Sequence, residues 1–359
     1  MPHARSARGR GRARGRSGRG RSRAAGLLGL AATLAVGCAR EDGGARAPEI
    51  PPGGLHQAAN PWTARVDAAP LHPDSARMMA ALAAAGGFGT GEVRIDFTIA
   101  LLHAGEGVPR VPFVKRAGYY DPDCDAPADF PLPAGGAAEG QPGYACDAGA
   151  NDCHVLVADW PRNVLREAFG ASLEGGRLVA RCAVEWELTR PYPETLRGDQ
   201  CTSADAAGLP IAPLLFTADE IAAGEIAHAI RFILPNERMQ AGVFVRPATH
   251  AGAPSGGADL PPYGTRLRLR ADYPLDRLPT DGARVLARAL QRHGMILADG
   301  GNIALTGADD RFTERKWSEV GVDTRALQAL APGDFEVVDT SGPIPLTYDC
   351  ARASLPPLP

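Results

Sequence analysis

The chain of 359 residues carries 38 Lys+Arg against 41 Asp+Glu, and this near-balance conceals a split. Nine arginines precede residue 24 and the first acid is Glu41, so beyond residue 37 there remain 29 basic and 41 acidic groups, a net charge of −12. That excludes the basic footprint with which a nucleic-acid binder neutralises phosphates, and a 45% hydrophobic chain of this length can bury a sizeable core.

Arg5 to Arg23 is a positively charged start, followed by 13 apolar residues from Ala24 to Val36 and a stop at Gly37-Cys38. Charged start, short apolar run and small-residue stop are the layout of a secretory signal peptide. Such a run is too short for a mature helix across about 30 Å of hydrocarbon. The junction Leu34-Ala35-Val36-Gly37-Cys38 resembles a bacterial lipobox, in which the cysteine is lipidated and becomes the mature N-terminus. Residues 1–37 therefore read as a lipoprotein signal, with the membrane contacted through a lipid on Cys38. Ala39 after that cysteine favours an outer membrane in a two-membrane cell. Residues 38–59, small, polar and proline-rich around Pro51-Pro52-Gly53-Gly54, read as a flexible tether.

A single domain is expected over 60–350. Asp74 or Ser75 caps a helix to about Ala85, with Met78, Met79 and Leu82 inward. Val93–Leu102 and Val111–Val114 read as strands, and 118–152 as a long irregular insertion. His154–Asp159 is a compact strand; Val164–Phe169 and Arg177–Leu188 form a meander across a glycine-rich turn. Thr217 to Glu220 is a capping box opening a short helix. Ala227–Leu234, Gly242–Arg246 and Thr265–Ala271 read as strands. Asp281–His293 is the clearest helix, with Thr280 as cap and Gly294 at its stop. Met295–Ala298 follows, with Ile303–Thr306 as its expected partner, then a short helix Thr324–Leu330 and a strand Phe335–Asp339. Strands outnumber helices and do not alternate with them as a doubly wound fold requires. The expected fold is a mainly-β, jelly-roll-like sandwich with a few peripheral helices; α+β is the alternative.

Cys124, Cys146, Cys153, Cys182, Cys201 and Cys350 make an even set in an exported chain, which suggests up to three disulfides. Cys182 and Cys201 bracket one polar loop and are the first expected pair. CxxC pairs are absent, so these cysteines carry no zinc signature, and no metal or cofactor is expected. Gly-x-Ser-x-Gly, His-Glu-x-x-His, Walker and Gly-x-Gly-x-x-Gly signatures are also missing.

The polar residues left in awkward places are the candidates. His250 ends a strand before a glycine-rich loop, a position from which it can line a cleft. Asp299 ends the apolar run Met295–Ala298 and could serve as general acid or base, or brace its own turn. Asp205, in Thr202-Ser-Ala-Asp205, is a third acid–base candidate, although the stretch resembles a turn or helix cap more than a nucleophile and base. His228 and Arg231 lie three apart, so in a strand they point to opposite faces. Trp160 ends a strand beside Asp159, where an aromatic can stack on a sugar. Arg246 completes the ligand-contacting candidates in this region.

From Cys201 to Asp339 the chain resembles a family of secreted bacterial proteins to which no activity is attached. The resemblance rests on TSADAAGLPIAPLLFTADEIAAGEIAHAIRF, RPATH, RHGMILADGGN and FEVVDT. It implies export and fold, and it draws attention to His228, Arg246, His250 and Asp299 inside its motifs. Relatives usually read Ala-Asp-Asn-Gly where this chain has Ala298-Asp-Gly-Gly301, so the role of that asparagine is either lost here or taken by Asn302. Two functions follow as expectations. One is an envelope-anchored hydrolase or lyase acting on an external polysaccharide. The other is a non-catalytic lipoprotein binding a glycan or an envelope protein partner.

Overall fold

A computed structural model describes residues 48–355; Cys38 and the signal-like segment lie outside them. The long apolar runs become strands of two different sheets, because each run changes sheet partway. Ile95–Ile99 joins a six-stranded sheet, and after Ala100 the same run continues as Leu101–Ala104 in a four-stranded one. Arg177–Ala180 and Cys182–Glu187 separate in the same way at Arg181. Strands that pass between layers at a bend are how packed sheets turn corners.

The six-stranded sheet runs in the order Ile95–Ile99, Leu305–Ala308, Ile230–Leu234, Met295–Gly300, Arg266–Leu269, Phe335–Val337. Its first pair and its Ile230–Leu234/Met295–Gly300 pair are parallel, and the other three are antiparallel. A second sheet aligns Leu101–Ala104, Val155–Asp159, Val164–Phe169 and Cys182–Glu187. A third aligns Asp129–Pro131, Arg110–Lys115, Arg177–Ala180 and Ser172–Glu174. With helices Ser75–Ala84, Ala218–Ala223, Asp281–Arg292 and Trp317–Val320, the chain is mainly β with few helices, and no closed barrel forms among the described residues.

The second sheet is buried on both sides. In Val155–Asp159, Leu156 and Ala158 belong to the main core while Val155 and Val157 belong to a smaller one under the third sheet. Alternate residues on a strand face opposite ways, so a strand serving two cores must be apolar throughout. Thr280 caps Asp281–Arg292 by accepting from the Ala283 N–H, as expected. Gly294 follows with φ +68°, and a Cβ there would lie 2.4 Å from the Leu267 carbonyl oxygen. The capping box at Thr217 and Glu220 is complete in both directions.

Several expectations need correction. Leu305–Ala308 is not the neighbour of Met295–Gly300; Ile230–Leu234 lies between them. Gly301 N–H donates to Leu234 O and Ile233 N–H to Ala304 O, so the connection wraps the end of that central strand. Residues 324–330 form turns rather than a helix, and Trp317–Val320 is the helix instead. The tether ends sooner than residue 59. Turns at 51–56 close by backbone hydrogen bonds, the Gln57 side chain bonds Asn163, and Leu55 packs on the core.

The disulfides are Cys124–Cys182, Cys146–Cys153 and Cys201–Cys350, so the expected Cys182–Cys201 pairing is wrong. The polar loop between those two cysteines is held from outside, each sulfur reaching a distant segment. Three disulfides belong to an oxidising, non-cytoplasmic environment. Among the described residues, no helix is long and apolar enough to cross a membrane. The bridges span 149, 58 and 7 residues. Chain entropy then predicts that removing them as paired serine variants costs about 5, 4 and 2 kcal/mol in that order. Guanidinium unfolding of the three variants checks the ranking.

Candidate functional site

Arg231 stands on the central strand, an arginine in the middle of an apolar run, and its side chain is only 5% exposed. A buried guanidinium needs carboxylates and hydrogen-bond acceptors around it. Its Nε donates to Asp205 Oδ1 at 2.8 Å, Nη2 to Asp299 Oδ2 at 2.9 Å and Nη1 to Thr306 Oγ1 at 3.1 Å. Nε and Nη2 share one edge of the guanidinium plane, so the two carboxylates come together on that edge. Asp299 arrives on the neighbouring parallel strand, where a register shift sets it opposite Ile233.

Asp205 arrives on the Thr202–Gly208 loop, which is tied to itself and to the sheet. Asp205 N–H donates to Ser203 Oγ, Ser203 Oγ–H donates to Leu209 O at 2.6 Å, and Thr202 Oγ1 donates to Asp205 O. Ser203 is thereby committed to structure. Ala207 N–H reaches Ala298 O on the sheet, and the Thr249 and His250 N–H groups reach Ala207 O. Gly208, at φ +75°, passes so close to Thr249 and Cys201 that a Cβ would meet Thr249 Oγ1 at 2.1 Å.

His250 joins the same pocket. Its Nδ1 lies 2.8 Å from Ala206 O, and since a carbonyl only accepts, Nδ1 carries the proton and donates. Nε2 is left with the lone pair of the neutral ring. Burial holds His250 below the ordinary imidazole range. Asp205, Asp299 and His250 thus line one pocket of about 240 Å³. Tyr120 and Phe169, edge-to-face with ring centroids 6.3 Å apart, form another wall, with Asp152 beside them.

Charge in this pocket is unevenly balanced. Burial pushes the Asp205 carboxyl up to about 7, against the opposing pull of Arg231 and helped by the nearby Asp299 charge. Burial also raises Asp299, again opposed by Arg231. One guanidinium facing a buried carboxylate, Asp205, and a half-buried one, Asp299, leaves a surplus negative charge, and a proton held by the pair removes it. Behind them lies a second buried pair. Burial would lower His154, but Glu139 overcomes this and raises it to about 9, while His154 draws Glu139 down to about 2. Nδ1 of His154 contacts Glu139 Oε2 at 2.7 Å and Nε2 contacts Ala204 O at 3.1 Å, so both nitrogens donate from an imidazolium.

The pocket gathers the three acid–base candidates and omits the remaining ligand-contacting ones. Arg246 pairs with Asp199 at 3.0 Å, donates to Ala248 O and lies over Phe244. Asn302 is exposed and does not line the pocket. His228 and Trp160 are buried in the wall of a different cavity. Asp159, beside Trp160, is neutralised by Arg110, Arg162 and Arg166. Glu167 is pushed up to about 7 by burial, yet it accepts from the Ile211, Ala212 and Trp186 N–H groups and lines no cleft; it is a structural acid. Tyr120, Asp152 and Phe169 escaped the sequence reading because nothing in an irregular insertion or an ordinary strand marks a pocket wall.

No family model, curated protein or solved structure matches the chain.

Arg231→Met should leave the buried Asp205 and the half-buried Asp299 without their cation and cost about 3–5 kcal/mol. Both carboxyls would then rise further above their unfolded values. A raised carboxyl contributes stability below its unfolded pKa and loses it as pH climbs through the folded value. The deficit against wild type is therefore expected to be larger at pH 8 than at pH 5, as read by urea unfolding at both.

Proposed function

We propose that this is an exported, lipid-anchored envelope protein whose Asp299–His250 pocket acts on an external polysaccharide as an acid–base hydrolase or lyase. The convergence of Asp205, Asp299 and His250 on one pocket beside two aromatic rings carries this reading. Aromatic faces pack on sugar rings, and a proton-holding carboxyl opposite a neutral imidazole supplies an acid and a base without a metal ligand set. Asp299, whose side chain is 28% exposed, is the carboxyl able to meet substrate. Asp205 is fully enclosed and serves as a positioning residue, setting Arg231 and the proton balance of Asp299. His250, with Nε2 unpaired among the hydrogen bonds above, is the base.

A second reading keeps the same pocket as a glycan- or protein-binding surface without turnover. The observation favouring it is that Arg231 already occupies both carboxylates. The anchor is part of the proposal: the lipobox-like Leu34–Cys38 junction supports it, together with disulfides suited to an oxidising compartment.

The purified protein, screened against a polysaccharide panel for both binding and new chain ends, is expected to release ends. His250→Ala and Asp299→Ala should each lower that rate by about 10²–10⁴-fold, the usual contribution of a positioned acid or base. Binding without turnover, weakened by the same changes, would establish the second reading; silence in both channels would overturn the carbohydrate assignment. The rate should peak in a narrow window. It falls on the acid side as His250 takes a proton below its ordinary 6.5, and on the alkaline side as the raised carboxyl pair loses its proton. Cys38→Ser should move the protein from the membrane fraction to the soluble one; a variant that stays with membranes refutes the lipid anchor.

A further inference from the structure

A cavity of about 380 Å³, separate from the Asp299 pocket, is walled by His56, His103, Trp160, Asp219, Glu220 and His228 among others. Its lining contains three imidazoles and two carboxylates and neither lysine nor arginine. That is a donor-rich chamber in which the His228 imidazole, held between a carbonyl and a carboxylate, must give up its Nε2 proton before it can ligate a metal. One ligand atom from each of His56, Glu220 and His228 lies within 4.8 Å of the others.

Two of the three are already aimed. His228 Nδ1 donates to the Ala229 carbonyl at 2.8 Å, which turns Nε2 towards Glu220 Oε1, 3.0 Å away. Glu220 is the acid of the capping box. Its Oε2 accepts from the Thr217 N–H at 2.9 Å and from Thr217 Oγ1 at 2.8 Å, leaving Oε1 for the cavity side. An imidazole tied back to a carbonyl and a carboxylate tied back to a hydroxyl are the outer supports found around metal ligands. His56 comes from the docked N-terminal segment and stacks on His228, with ring centroids 4.6 Å apart. Its Nδ1 is buried and has no hydrogen-bond partner. A buried ring nitrogen without a partner is costly unless something fills the gap.

We propose that His56, Glu220 and His228 form a binding site for a divalent transition ion of the zinc class, with its open coordination position facing the cavity beside Trp160 and His103. Two imidazoles and one carboxylate are a donor set that zinc accepts while retaining a free position for water or ligand. Asp219 stays outside the set, because its carboxylate accepts from the Glu314 and Arg315 N–H groups. Asp123, Cys201 and Cys350 also cluster, but both sulfurs are consumed in a disulfide. The metal site is independent of the polysaccharide reading, and either can fail without the other.

The full chain, stripped with a chelator, is titrated with Zn²⁺ alone, and with Co²⁺ for its visible d–d absorption. One ion per chain is expected, with saturable uptake and a rise in Tm on loading. His56→Ala should weaken binding at least tenfold and abolish the Tm rise. The ring belongs to a peripheral docked segment, and an apo-form Tm close to wild type would show that the sheets are intact. Glu220→Gln is the second variant: glutamine at that helix position still completes a capping box, so the helix is kept while the ligand charge is removed. It too should lose at least tenfold. Failure of the wild type to take up either ion overturns the proposal, and so does uptake that both variants leave unchanged.

Discussion

Burial of the Arg231 guanidinium is the constraint on which the candidate site depends. A charged group inside the main core is tolerable only when its N–H groups are matched, and no single neighbouring strand provides enough acceptors. Asp299 and Thr306 come from strands of the same sheet, and Asp205 must be delivered by a loop from elsewhere. Ordering that loop also orders what hangs from it: Ala207 anchors the backbone of Thr249 and His250, and Ala206 orients the His250 ring. One buried cation thus assembles three distant segments into a pocket.

The three-layer arrangement explains where that pocket opens. The middle sheet has no solvent face, since its alternate residues fill two cores. The Asp299 pocket lies at the end of strands, where Met295–Gly300 meets loops and the irregular insertion. The insertion is too poor in apolar residues to order itself, and Cys124–Cys182 and Cys146–Cys153 tie it to the body. Tyr120 reaches the pocket wall by this route. The cavity around His228 is a separate one: the strand begins only at Ile230, so His228 lies in the bend before it rather than on the strand that carries Arg231. One short stretch, His228 to Arg231, contributes to two polar sites, one where a guanidinium meets two carboxylates and one lined by imidazoles and carboxylates.

Much of the local structure was legible because its causes are local. The capping box at Thr217, the Thr280 cap, the Gly294 stop and the strand at Val164–Phe169 depend on residues within a few positions of one another. The mainly-β class was legible from the number of apolar runs and their spacing. Legibility failed where a partner lies far along the chain. Leu305–Ala308 reads as a hairpin partner of Met295–Gly300, yet Ile230–Leu234 separates them. Cys182 and Cys201 are adjacent along the chain and bonded elsewhere.

The sequence by itself determined the charge split, the signal-like leader, the even cysteine set, the strand-rich class and the unusual placement of His250, Asp299, Asp205 and Arg231. Each follows from composition, or from a residue whose chemistry conflicts with its immediate surroundings. Tertiary structure alone decided which of those residues meet. It also decided that Trp160 and His228 belong to a second cavity, and that His56 and Glu220 stand beside His228. The reason is physical: propensity and capping act over a few residues, whereas the matching of buried charge and the packing of opposite strand faces act across the whole fold.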